Sequence, residues 1–289
     1  MGLFVLYMGN ISGSSLLIVQ ASEKQQNMFS EYKQLVKQFK DRGISVIELI
    51  RDTDIESPRY LCSGDWITFH GNGTVTVYPL SSLSRQQERT DLVFDVLEEN
   101  AVRINDVVDF TEAENDGFFL EGTSSMVLDH THSIAYAIPS LKCDEELFIE
   151  FCEELEFSPI LFRAQYTDTS EVLSASSVLS VSDDFAVIAL ELIKDKKEKK
   201  QIVKQLKKSG KELIYITEKQ VANHTTQIKQ VKNCAGECFV VLSKNVFDNL
   251  NAKQAMILKK YGELFILDYK HTEGFAHHSI GAALNEISF

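Results

Sequence analysis

A chain of 289 residues, 44% hydrophobic and 25% charged, has ordinary globular proportions and buries roughly three quarters of its unfolded surface without disulfide or metal staples. A formal charge of −13 excludes a nucleic-acid backbone as partner, because displacing its counterions takes clustered Lys and Arg, whereas a small cation stays compatible. No stretch reaches the ~18 apolar residues of a membrane span, and five cysteines without a second ligand pair beside Cys234 and Cys238 point to reduced thiols in the cytoplasm, with no metal or cofactor expected.

Strand-like and helix-like stretches alternate along the chain. Residues 15–20 are a short apolar, β-branched run, and Met28, Tyr32, Leu35, Val36 and Phe39 then predict a helix over 25–42 that ends at Gly43. Residues 45–50 form the next strand. Strands at 65–69 and 74–78 make a hairpin across Gly71-Asn72-Gly73, where glycine and asparagine supply positive φ at little cost. A helix over 86–100 and a strand over 102–110 follow. Strands at 118–120, 125–129 and 133–137 precede a helix over 144–156 with Asp144 as its N-cap. Residues 159–162, 178–181 and 185–189 are strands, and a helix over 194–209 stops at Gly210. Strands at 212–216 and 238–242, a helix over 244–261 and a strand at 264–269 complete the pattern.

Strands come in pairs between the helices, whereas a doubly wound sheet shows mostly single ones. The pattern is a strand-strand-helix-strand unit repeated about five times. With four prolines and no linker-like stretch, residues 1–289 are expected to form one α/β domain.

Five motifs carry a family resemblance. Asn27 to Phe29 matches an early Asn-x-Phe. Pro58-Arg59-Tyr60-Leu61-Cys62-Ser63-Gly64-Asp65-Trp66-Ile67-Thr68-Phe69-His70 matches Pro-Asp-x-x-Phe-Pro-Asn-Asn-Trp-x-x-x-His. Tyr78-Pro79-Leu80 and Arg85-Gln86-Gln87-Glu88-Arg89 match Tyr-Pro-Met and Arg-x-x-Glu-Arg, and Leu120 to Asp129 matches Leu-Glu-Gly-Thr-Gly-Ser-x-Val-x-Asp. From about Asn27 to its end the chain resembles the amidinotransferase-like branch, of citrulline-utilisation hydrolase type, of the guanidine-modifying pentein superfamily. The resemblance implies a pentein fold, a five-bladed α/β-propeller of ββαβ units. It also implies chemistry on a guanidinium carbon. In catalytic relatives a cysteine thiolate attacks that carbon, a histidine protonates the leaving amine and activates water, and carboxylates hold the cation.

The reacting positions depart from that pattern. The family's Gly-Gly-Gly-Ser-x-Arg-Cys-Met-x-x-Glu falls on Ala276 to Glu286: Ser279 and Glu286 keep their places, Gly281 stands for the arginine and Ala282 for the nucleophilic cysteine. The Tyr-His-Thr-Asn motif falls on Leu173 to Ser176, so Ser174 replaces the histidine, and the Phe-Ala-Gly-Asn stretch falls on Asn223 to Thr226. The resulting expectation is a catalytically inactive homologue that binds a small molecule or a protein. The alternatives are a hydrolase or amidinotransferase acting on a guanidino compound through a rearranged site, and an assembly subunit beside an active paralogue.

Asp65, Glu121, Arg85, Arg89 and Ser279 are the candidate binding residues. Asp65 reads as a guanidinium partner or as an exposed turn residue, and Glu121 as a remnant of cation binding or as the acceptor of a tight turn. Arg85, Glu88 and Arg89 read as an ion-pair cluster at a helix start. His130 and His132 flank Thr131 as a hairpin surface or a metal pair, and the mixed run Lys194 to Lys200 is a solvated helix face. The expected partners are a guanidino or other small cationic ligand and a second copy or paralogous subunit.

Overall fold

Among the described residues, short runs of apolar and β-branched residues form five separate three-stranded sheets. The computed structural model describes residues 13–20, 26–51, 60–169, 171–271 and 280–287. Ser279 and the motif residues Pro58 and Arg59 lie outside that range.

The first unit runs β1 (Ser15–Val19), α1 (Gln26–Asp41) and β2 (Ser45–Leu49). The second runs β3 (Ile67–Phe69), β4 (Thr74–Val77), α2 (Leu83–Gln86), α3 (Leu92–Glu99) and β5 (Asp106–Asp109). The third comprises α4 (Gly122–Ser125), β6 (Met126–Asp129), β7 (Ile134–Ala137), α5 (Glu145–Glu154) and β8 (Ser158–Leu161). In the fourth, α6 (Ala175–Val178) precedes β9 (Leu179–Val181), β10 (Phe185–Ile188), α7 (Lys196–Lys208) and β11 (Glu212–Tyr215). The fifth holds α8 (Glu218–Ala222), β12 (Lys229–Lys232), β13 (Cys238–Ser243), α9 (Lys244–Asn249), α10 (Ala252–Leu258) and β14 (Glu263–Leu267). Finally β15 (Asn285–Ile287) returns to pair with β1.

Every sheet has the same internal logic. Its central strand is antiparallel to one neighbour and parallel to the other: β1 between β15 and β2, β4 between β3 and β5, β7 between β6 and β8. The strands β10 and β13 repeat this arrangement. A parallel pair needs a crossover, and a helix supplies it in each unit. The central strands are dry. Leu16 and Leu17, Ala135 and Tyr136, and Ala186 and Val187 all have no solvent exposure.

Local chemistry sets the helix limits. In α1 the buried residues are Met28, Tyr32, Leu35, Val36 and Phe39, one apolar stripe at helical spacing. Asp144 caps α5 by accepting from the Leu147 amide, and Asp195 caps α7 by accepting from Lys197 and Glu198. Gly210, with φ +74°, takes the left-handed position after α7.

Several expectations are corrected. The span 244–261 is two helices, because Asn251 forms a reciprocal capping box with Gln254 and starts a new one. The span 86–100 likewise divides into α2 and α3. Residues 118–120 contribute only a bridge between Leu120 and Cys143. In the 71–73 turn only Gly73 adopts positive φ. Ser63–Asp65 is a 3-10 turn rather than the start of a strand. Among the described residues the fold is an α/β assembly of five mixed sheets, and none of them closes on itself. No helix among the described residues is long and apolar enough to cross a membrane.

Candidate active site

A short helical turn precedes the leading strand of each unit. Ser63–Asp65 stands before β3, α4 before β6, α6 before β9 and Ile280–Ala283 before β15. Ahead of β12, the Gln227 amide donates to the His224 carbonyl and closes the corresponding turn. The turns pack on one another: α4 against Ser63–Asp65 and α6, and Ser63–Asp65 against Ile280–Ala283. Together with the strands behind them they wall a cavity of about 960 Å³. The internal repeat therefore delivers five equivalent backbone corners to one place. Asp65, Ser174 and Ala282, predicted from distant parts of the sequence, all line it.

Beneath the Asp65 corner lies a buried ion cluster. Asp65 is 1% exposed, which removes the exposed-turn reading. Its Oδ2 accepts from Arg85 Nη2 at 2.9 Å, and its Oδ1 from Thr123 Oγ1 at 3.3 Å. Arg85 also donates to Glu121 Oε2 at 2.6 Å, and to Glu88 Oε1 and Oε2 at 3.2 and 3.0 Å. One guanidinium thus sits among three carboxylates. Burial by itself would lower the Arg85 pKa, but Asp65, Glu88 and Glu121 together raise it. Burial would likewise raise that of Glu121, yet Arg85, Ser81 and Lys142 bring it below the usual carboxylate range. Arg89 serves elsewhere, pairing with Glu114 and donating to the Tyr78 carbonyl at 3.2 Å. Among the described residues, Arg85, Arg89 and Glu121 support the wall from behind rather than line it.

The wall itself is rich in hydroxyls. Ser174 Oγ is 2.8 Å from Ser177 Oγ, and Ser176 Oγ donates to the Ser124 carbonyl at 3.1 Å. His224 also lines the cavity, held in the left-handed region at φ +55°. Lys229 and Glu286 line the cavity as well: Lys229 Nζ donates to the Leu284 carbonyl at 2.6 Å, and Glu286 Oε1 accepts from Ser14 Oγ at 2.7 Å. Burial lowers the Lys229 pKa despite the opposing influence of Glu286 and Cys62. Burial also raises that of Glu286, against Ser14 and Lys229. Both groups are shifted toward their uncharged forms. Lys229 escaped the sequence reading because Lys229-Gln230-Val231-Lys232 offers one apolar residue among polar ones. The only signal was the alternation around Val231, which is buried in the core.

His70 also lines the cavity, its Nε2 3.1 Å from Thr68 Oγ1 and 3.0 Å from Thr76 Oγ1. The ring of His130 is 5.4 Å from it. His132 Nδ1 instead turns to Asp129 Oδ1 at 3.1 Å. No group of three His, Cys, Asp or Glu residues among the described ones is placed to hold a metal. Burial, reinforced by His130, lowers the His70 pKa from 6.5 to about 3. Between those values the unfolded chain binds a proton that the folded chain refuses. This contribution is thus intact above pH 6.5 and falls with pH, by about 1.4 kcal/mol per unit. Urea titrations from pH 7 to 4 are expected to show that slope, and His70→Asn to remove one proton's worth of it. An unchanged slope would contradict the burial account.

Comparison with solved structures places the fold. The chain superposes on ArgZ, an arginine dihydrolase from cyanobacteria, with a TM-score of 0.70 and 12% identity over 96% of this chain. It spans only 40% of that ArgZ chain. Against the N-terminal domain of ArgZ bound to substrate the TM-score is 0.68 at 11% identity, covering 95% of this chain and 98% of that domain. A dimethylarginine dimethylaminohydrolase adduct gives 0.66 at 10% identity, covering 95% of this chain and all of that one. At such identities the likeness shows the fold alone. A search of curated proteins returns no match.

The family model for the eukaryotic N,N dimethylarginine dimethylhydrolase matches residues 15–286. That match corrects the expectation of a catalytically inactive homologue: a hydrolase model covers almost the whole chain, and it favours the alternative, a guanidino hydrolase with a rearranged site. With the match running from the first strand into the last, the chain belongs to the N,N dimethylarginine dimethylhydrolase family.

Proposed function

We propose that the chain hydrolyses a guanidino compound in the central cavity, with water as the attacking group. One observation carries this reading: in a chain of a hydrolase family, all five units contribute to a cavity whose wall is acidic. Asp65, Asp129, Glu156 and Asp183 line it against Lys232, while Lys229 and Glu286 are both shifted toward their uncharged forms. An excess of carboxylates in a site walled by protein favours a cation over an anion. The hydroxyls of Ser124, Ser174 and Ser176 add acceptors that suit a planar guanidinium.

With Ala282 and Ser174 at the positions aligned to the thiol and the imidazole, the reaction runs without a covalent intermediate. Water oxygen bonds to the guanidinium carbon, one carbon–nitrogen bond breaks, and a ureido compound and an amine are released. The Arg85 cluster contributes by fixing Asp65 from behind, so that part of the acidic wall is rigid before substrate arrives. We also take the five sheets to be blades of a five-bladed α/β-propeller around this cavity, in a cytoplasmic enzyme. The repeated strand-strand-helix-strand unit and the shared cavity support that arrangement. The motif likeness to the amidinotransferase-like branch supports a guanidino substrate.

Incubation with N,N-dimethylarginine, monomethylarginine, arginine and agmatine, followed by mass spectrometry, tests the proposal. At least one compound is expected to yield its ureido product and the matching amine above the rate in buffer. The same compound at a hundred times its Kd should add about 2.7 kcal/mol of stability. No product from any of the four compounds would overturn the reading.

A further inference from the structure

We infer that Lys229 and Glu286 form the proton-transfer pair of this site, Lys229 receiving the proton of the attacking water and Glu286 supplying one to the departing nitrogen. The inference rests on the hydrolase reading above and names the residues that perform it.

Geometry is the first support. Lys229 opens β12 and Glu286 sits within β15, so the two reach the cavity from different sheets. The Lys229 amine is held at 2.6 Å by the carbonyl of Leu284, two residues beyond Ala282. It is therefore anchored beside the turn on which the family places its nucleophile. Glu286, two residues further on, is anchored by Ser14 at 2.7 Å. Among the described residues Lys229 makes no contact ion pair. An amine with one hydrogen bond to a carbonyl keeps its lone pair available when it is neutral.

The surroundings supply the second support. Glu286 and the Cys62 thiol face Lys229 and favour its charged form, and the amine in turn acts on His130. Glu286 is faced by Ser14, Lys229 and Lys232, which favour ionisation, and by Asp183, which opposes it. Burial outweighs these influences on both residues, so the Lys229 amine is shifted toward its basic form and the Glu286 carboxyl toward its acid form within the same cavity. A lysine lowered and a carboxyl raised toward the neutral range are the kind of groups that acid–base catalysis near neutral pH uses.

The cycle balances. Water oxygen bonds to the guanidinium carbon as Lys229 takes one of its protons. Glu286 gives its proton to the leaving nitrogen, the carbon–nitrogen bond breaks, and the remaining hydroxyl proton returns to the Glu286 carboxylate as the ureido carbonyl forms. The ammonium of Lys229 then passes its proton to the free amine, which departs as an ammonium ion.

Kinetics of Lys229→Arg and Glu286→Gln test the pair. An arginine stays protonated and cannot accept the proton, so Lys229→Arg should lower kcat by ~100-fold or more, with KM changed only a few-fold. It should also remove the ascending limb of the kcat–pH profile, and Glu286→Gln the descending limb. If the wild type turns over and Lys229→Arg keeps its rate within threefold with the same limb, the pair is wrong and the hydrolase reading stands. If the wild type converts none of the compounds, both fall.

A measurement on the unmodified protein guards against variants that fail to fold. Site-resolved amidination by methyl acetimidate should modify Lys229 at a pH where surface lysines are still protected by protonation. A midpoint for Lys229 at or above those of the surface lysines would overturn the inference.

Discussion

Arg85→Ala is expected to cost about 3–5 kcal/mol of stability, because it leaves Asp65, Glu88 and Glu121 buried beside one another without their shared cation. All three carboxylates have side-chain exposures of 2% or less, so water cannot replace what is lost. Arg85→Lys should fall between the two, since a point charge cannot serve three acceptors as a planar fork does. The void is also shaped for its own remedy. Guanidinium chloride in the low millimolar range, far below denaturing concentrations, should restore part of the melting temperature of Arg85→Ala and leave the wild type unchanged. Thermal melts decide the matter. A loss below 1 kcal/mol, or no selective rescue, would mean that the cluster does not hold this corner of the cavity.

Gly122→Ala carries the second large expectation. A Cβ there would meet the Gly64 carbonyl oxygen at 2.2 Å and the Asp65 oxygen at 3.1 Å. Both are backbone atoms of the neighbouring corner, so neither can rotate away. Overpacking of this kind costs about 1–3 kcal/mol, and here the upper end is expected. Gly64→Ala provides the contrast. Its nearest contact, at 2.7 Å, is the Thr123 hydroxyl, a side-chain atom that can turn aside at smaller cost. Urea midpoints of the two variants should therefore separate, with Gly122→Ala the weaker. Equal midpoints would show that the corners approach less tightly than described.

Much of the fold is legible in the sequence because it rests on periodicity. Met28 to Phe39 and the paired apolar strands announce α1 and the repeated unit without help from tertiary context. The failures have local causes. Asn251 carried a capping signal inside a continuous apolar pattern, and the pattern hid it. The strand β12 alternates lysines with a single buried valine, too little contrast for a hydrophobic reading.

The site was legible only in part. Glu88 at one helical turn from Arg85 could be foreseen, whereas Asp65 and Glu121 join that arginine through packing between units. Lys229 shows the limit most clearly. Its environment comes from Ser14, Glu286 and Leu284 at opposite ends of the chain, which meet because β15 returns to β1. The departures at Ser174 and Ala282 were visible at once, but they speak only of the thiolate route. Taken alone they imply loss of activity, an expectation that the family match corrects.

Intact-protein mass spectrometry during incubation with each of the four guanidino compounds tests the central claim most directly. With at least one of them, samples quenched in acid should contain the ureido product and the matching amine in growing amounts, while the protein keeps its unmodified mass at every time point. A protein adduct that forms and decays with product, or the absence of product altogether, would contradict direct attack by water in this cavity.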